Sequence, residues 1–198
     1  MEKKHFPCRG WMILLLSCLL LSVSFPAAGR TTVQQKADVS YRDSLTGILF
    51  PARIGGFRKS VVRVYPHKIL GTRITYSSPV VATCGADLYI YALEEVPLQE
   101  ISPEALDLHS RTVQKTFEKN LKDRPGISHV KVLPGGGYRF RMDGKEFYSG
   151  LRIIPYGKFV IRVHLTQPAA GYEKNSELFF KALQKLLTIN DKVSDNGK

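Results

Sequence analysis

The chain has 198 residues, with 29 Lys and Arg against 17 Asp and Glu for a net charge of +12, and 43% of it is hydrophobic. That length suits one domain with its own core. The charge favours anionic surroundings such as lipid headgroups, acidic glycans or an acidic protein partner. Its cysteines are Cys8, Cys18 and Cys84.

Lys3, Lys4 and Arg9 precede an apolar run from Trp11 to Phe25, and Pro26-Ala27-Ala28-Gly29 follows. A basic start, an apolar centre and a small-residue exit have the form of a secretory signal, with cleavage after Gly29 or after Ala28. The run is shorter than the roughly 20 apolar residues that cross a bilayer, which weighs against an uncleaved anchor. Leu15-Leu16-Ser17-Cys18 has the outline of a lipoprotein cleavage box, but apolar residues follow Cys18 where a polar tether is expected. The expectation is an exported protein, periplasmic or secreted. Loss of Glu2, Lys3, Lys4 and Arg9 lowers the net charge from +12 to +10. Only Cys84 then remains, so an internal disulfide is excluded and packing must hold the fold.

Residues 30–40 are polar and without periodicity, a flexible lead-in. Short runs rich in β-branched and aromatic residues follow: Gly47-Ile48-Leu49-Phe50-Pro51, Ile54-Gly55-Gly56-Phe57, Val61 to Tyr65, Arg73 to Tyr76, and Ala86 to Leu93. Separated by prolines and glycines, they predict strands. At Ser102-Pro103-Glu104 the pattern changes to that of a helix start: a capping hydroxyl, a proline at the first turn, and an acid on the positive helix end. Leu106, Val113, Phe117 and Leu121 recur at helical spacing until Arg124-Pro125-Gly126. Four strands are predicted next, at Ile127 to Leu133, Tyr138 to Met142, Lys145 to Ile154, and Phe159 to Leu165. Asp143-Gly144 is a tight hairpin signal. A last helix is predicted within Glu173 to Leu187, and a frayed tail over 191–198.

This order predicts a single α+β domain over 41–190, with a mostly antiparallel sheet of about six to eight strands and two main helices. Together with Thr46-Gly47-Ile48-Leu49-Phe50-Pro51, it resembles the exported PsbP-like and DcrB-like proteins. The resemblance spans about Tyr41 to Leu187. It implies a PsbP-like sandwich and a small accessory or adaptor role, with no shared catalytic residue set.

No motif for a metal, a cofactor or a catalytic nucleophile is visible. His67, His109, His129 and His164 lie far apart in sequence and outside any ligand motif. No Gly-x-Ser-x-Gly elbow exists, and Gly135-Gly136-Gly137 leads into a strand rather than a helix, as a hairpin connection does. Glu94-Glu95 and Asp143 with Glu146 have the form of surface charge.

What remains is alternation. Arg139 and Arg141 oppose Tyr138, Phe140 and Met142 along one strand, and Arg162 and His164 oppose Ile161, Val163 and Leu165 along another. With Arg63, Arg73 and Arg152 on the same side, they would form one basic face able to fork onto carboxylate or phosphate. The plainer reading is the wet side of an antiparallel sheet. The functional expectation is a non-enzymatic binding or adaptor protein of the cell envelope, docking an acidic protein, a glycan or a lipid headgroup through this face. Peripheral membrane contact is compatible with that, and nucleic acid is not an expected partner for an exported chain. Two alternatives stand: an enzyme with a Cys84 or His164 centre, and a lipid-anchored structural component.

Overall fold

The computed structural model describes residues 39–79, 84–94 and 100–195. The expected signal at 1–29, the lead-in as far as 38, and 196–198 of the expected tail lie outside the described residues.

A small ribbon comes first, β1 (Tyr41–Arg42) paired with β2 (Leu49–Phe50). Asp43 shapes its turn, its Oδ1 accepting from the amides of Leu45 and Thr46 at 3.2 and 3.0 Å. Then follow β3 (Arg53–Ile54), β4 (Phe57–Val64), β5 (Thr72–Ser77), β6 (Gly85–Tyr91), α1 (Pro103–Lys122), β7 (Ile127–Leu133), β8 (Gly137–Met142), β9 (Lys145–Tyr156), β10 (Phe159–Pro168) and α2 (Tyr172–Asp195). The eight strands from β3 onward form one sheet in the order β3-β4-β5-β6-β10-β9-β8-β7, with every pair antiparallel. This is the expected α+β fold with two main helices.

The chain makes one meander from β3 to β6, crosses to the far edge through α1, and makes a second meander back until β10 lies on β6. The predicted cap starts α1: Ser102 Oγ accepts from the Ala105 amide at 3.2 Å, and Pro103 occupies the first turn. The predicted hairpin at Asp143-Gly144 has both residues at positive φ, 51° and 75°, as a primed turn requires.

The two helices pack on opposite faces. Val113, Phe117 and Leu121 of α1 cover Tyr138, Phe140, Phe147 and Leu151 on β8 and β9. Phe179, Phe180, Leu183 and Leu187 of α2 cover a larger core that includes Ile74, Leu88, Ile90, Ile161, Val163 and Leu165. In the β9–β10 ladder Leu151 faces His164 and Gly150 faces Leu165, which puts the two cores on different sides of the sheet. Each helix covers roughly half of its own face, and the halves are diagonal to one another.

The strand reading placed charged residues on the wet side, and Lys59 departs from it. It lies at 1% exposure on the α2 face of the sheet, paired with Tyr76, its ammonium donating to the Val39 carbonyl and standing 5.8 Å from the Tyr41 ring. At the other end α2 continues to Asp195, into the 191–198 stretch expected to fray. A helix, once begun, is extended by its own backbone hydrogen bonds.

Candidate functional site

The expected basic face is two faces. Arg162 pairs with Tyr89 and with Ile153, Tyr89 pairs with Arg73, and Arg73 pairs with Arg63. Arg63, Arg73, Arg162 and His164 therefore share the face on which α1 packs. Arg139 pairs with Tyr148, and Arg152 follows on the same side of β9, so Arg139, Arg141 and Arg152 lie on the α2 face. A single surface through all of them is thus corrected: strand pairing, with its period of two, sets the sides. A bulge between Lys59 and Val61 also brings Arg58 onto the α1 face opposite Ser77, and Arg53 pairs with Arg58.

On the α1 face, no helix among the described residues covers the part formed by β4, β5 and β6, and α1 forms its wall. Between the two lies a cleft of about 310 Å³, lined by Thr112, Thr116 and Asn120 of α1 and by Tyr89, Arg162 and His164 of the sheet. The helix geometry accounts for it. Val113, Phe117 and Leu121 point into the core at three-to-four-residue spacing. Thr112, Thr116 and Asn120 form the adjacent stripe one residue earlier, overhanging β6 and β10.

Two arginines face this region in different chemical states. Arg73 forks onto Asp87, with Nε to Oδ1 at 3.0 Å and Nη2 to Oδ2 at 2.9 Å, and Thr75 donates to the same Oδ1 at 2.6 Å. Burial disfavours its charge, but the Asp87 carboxylate outweighs that and raises its pKa. Arg162 is held instead by rings: its guanidinium carbon lies 4.1 Å from the Tyr89 centroid and 5.8 Å from that of Tyr91. Among the described residues no carboxylate pairs with it.

The neighbouring imidazoles are neutral at physiological pH. His164 is pushed down to about 4, first by burial, with Asp87 opposing and Arg162 and Arg73 adding to the shift. Its Nε2 lies 2.7 Å from Ser149 Oγ and 3.2 Å from Thr166 Oγ1, and its ring stands edge-on to Phe117 at 4.3 Å. His109 shares a 2.7 Å hydrogen bond with Tyr91 Oη, and burial and then Arg162 lower its pKa. The cleft therefore carries one fixed positive charge set among neutral donors and aromatic walls.

Cys84 belongs elsewhere. It is buried in the α2-side core, its sulfur donating to Gln167 Oε1 at 3.5 Å, and burial pushes its thiol up to about 11. Cys84 and His164 thus lie on opposite faces of the sheet and do not form a nucleophile–base pair. Ser149, the hydroxyl in contact with His164, has no exposed surface. Among the described residues no group of His, Cys, Asp and Glu converges as a metal site would.

The arginines on the α2 face are more exposed. Arg139 pairs with Glu146 and stands 5.9 Å from the Tyr148 ring, and Arg152 lies over Phe180 at 3.9 Å. Sequence reasoning missed the α1 stripe and the Arg53–Arg58 pair. The first was legible as Thr112, Thr116 and Asn120 at four-residue spacing. The second depended on a bulge with no sequence signature. Neither a family model nor a curated protein matches the sequence.

Proposed function

We propose that this chain is an exported, non-enzymatic binding or adaptor protein that holds an anionic group of its partner in the cleft between α1 and the sheet. The observation that carries this is Arg162: a guanidinium fixed by two tyrosine rings, open to the cleft, with no carboxylate of its own among the described residues. Such a group is pre-oriented, so little side-chain entropy is lost when an anion docks. Arg63 extends the positive field along the same face, and the net charge of +10 expected after loss of the signal draws anions from a distance. The resemblance to PsbP-like proteins implies the same class of role.

The test uses vesicles of phosphatidylglycerol and a sulfated heparin oligosaccharide as anionic probes at low ionic strength. Arg162→Glu is expected to weaken binding to at least one probe by about tenfold, with Arg162→Lys intermediate because it keeps the charge and loses the fork. Affinity for both probes that is unchanged in a folded Arg162→Glu chain overturns the reading.

A further inference from the structure

A second place for a partner is built from backbone. β9 runs Lys145–Tyr156, but β8 pairs with it only as far as Gly137↔Gly150. On its other side β10 stays paired out to Phe159↔Tyr156. The turn after β7 closes on β9 at Leu151, where a Cβ on Gly136 would lie 2.8 Å from the Leu151 carbonyl oxygen, but from Arg152 to Pro155, about 13 Å at roughly 3.3 Å per residue, β9 has a strand neighbour on one edge alone among the described residues.

Alternate residues of an antiparallel strand turn their N–H and C=O groups to opposite neighbours. The Glu146 carbonyl accepts from the Ala169 amide at 3.0 Å, on the β10 side. Even-numbered residues of β9 therefore serve β10, and odd-numbered ones face the open edge. Ile153 offers both its N–H and its C=O there, and Pro155 its C=O alone. The space beside them is a notch of about 570 Å³, with Gln114 of α1 on one side, Phe180 and Gln184 of α2 on the other, and Ile153 and Ile154 at its base.

Arg152 selects the occupant. It lies flat on Phe180 at 3.9 Å, exposed, and no carboxylate among the described residues pairs with it. A strand laid along this edge sets one side chain opposite Arg152, about 5 Å away between Cβ atoms, where opposite charges stabilise and like charges destabilise. Ile153 and Ile154 ask for apolar neighbours beside that charge. A second copy of this chain would bring a further net charge of +10, after loss of the signal, to the contact. We infer that the free edge of β9 is a strand-addition site for an extended segment of a partner protein, carrying a carboxylate side chain beside apolar ones. This site is independent of the Arg162 cleft.

The probe is a fluorescein-labelled Thr-Val-Glu-Val-Thr peptide with blocked ends, compared with its Thr-Val-Lys-Val-Thr counterpart by anisotropy on the full chain. The glutamate peptide is expected to bind about tenfold more tightly, Arg152→Glu to reverse that preference, and Arg162→Glu to leave it intact. Hydrogen exchange at the Ile153 amide is expected to be fast in the free chain and slowed at saturating peptide. The proposal is overturned by no binding of the glutamate peptide, by an unchanged preference in Arg152→Glu, or by an Ile153 amide already protected in the isolated chain. That last result in a chain that self-associates would assign the edge to a second copy.

Discussion

The two uncovered parts of the sheet use the same residue types and make different surfaces. On the α1 face the Arg73–Asp87 pair is sheltered, at 29% and 22% side-chain exposure, and Arg162 sits in a walled cleft. On the α2 face the Arg139–Glu146 pair is more open, at 45% and 33%, among the outer hairpins. What differs is depth, not the number of arginines. A crossing helix beside the first part removes water from its charges, and the outer strands leave the second part solvated, where ion pairs contribute little.

Three measurements would break or sharpen that contrast. The largest effect is expected from paired glycine substitutions. Gly71, just before β5, has φ +61°, and a Cβ there would lie 1.7 Å from the Ile90 carbonyl oxygen, so Gly71→Ala meets backbone that cannot yield. A loss of about 4 kcal/mol or more, or no folded protein, is expected in urea unfolding. Gly150→Ala on the α2 face meets only the Tyr172 hydroxyl at 2.7 Å, the far end of a movable side chain, and about 1 kcal/mol is expected. Equal losses would show the two parts to be equally rigid.

The second concerns pH. His164 titrates near 4 in the folded chain and near 6.5 when unfolded. Between those values the unfolded chain binds a proton that the folded chain does not. The contribution is therefore complete above about pH 6.5 and is lost as pH falls toward 4, on the order of 3 kcal/mol in all. His164→Gln should flatten this part of the stability–pH curve, and an unaltered slope would remove His164 as its source. The third compares the ion pairs. Asp87→Ala strands a half-buried guanidinium and should destabilise by about 2 kcal/mol, whereas Glu146→Ala should fall within about 0.5 kcal/mol. A Glu146 effect as large as that of Asp87 would contradict the difference in depth.

Much of the local structure was legible in the sequence. Ser102-Pro103 marks the start of α1, Asp143-Gly144 marks a hairpin, and within β8, β9 and β10 the alternation separates the sides correctly, since each depends on neighbouring residues alone. The joining of those sides was not legible. Whether Arg162 lies with Arg139 depends on how β9 pairs with β10, and either assignment satisfies the alternation within each strand. The cleft was hidden for the same reason: Thr112 and Tyr89 meet only because the chain crosses the sheet between β6 and β7. Lys59 shows the limit of polarity as a guide, because a long side chain can be buried when its tip finds a carbonyl.

The diagonal placement of α1 and α2 follows from two meanders that meet within the sheet at a single ladder, Val160 with Tyr91 through Thr166 with Gly85. Every other rung of the large sheet joins strands that follow one another in the chain. Hairpins of that kind close quickly, while the β6–β10 ladder waits on a loop containing α1 and the whole second meander. That closure is expected to be the slow step in folding, which stopped-flow refolding of a variant weakened in this ladder would test. A chain halted before it presents β6, with Leu88, Tyr89, Ile90 and Tyr91, and β10, with Val160, Ile161, Val163 and Leu165, as open strand edges, and that is the species from which aggregation should start.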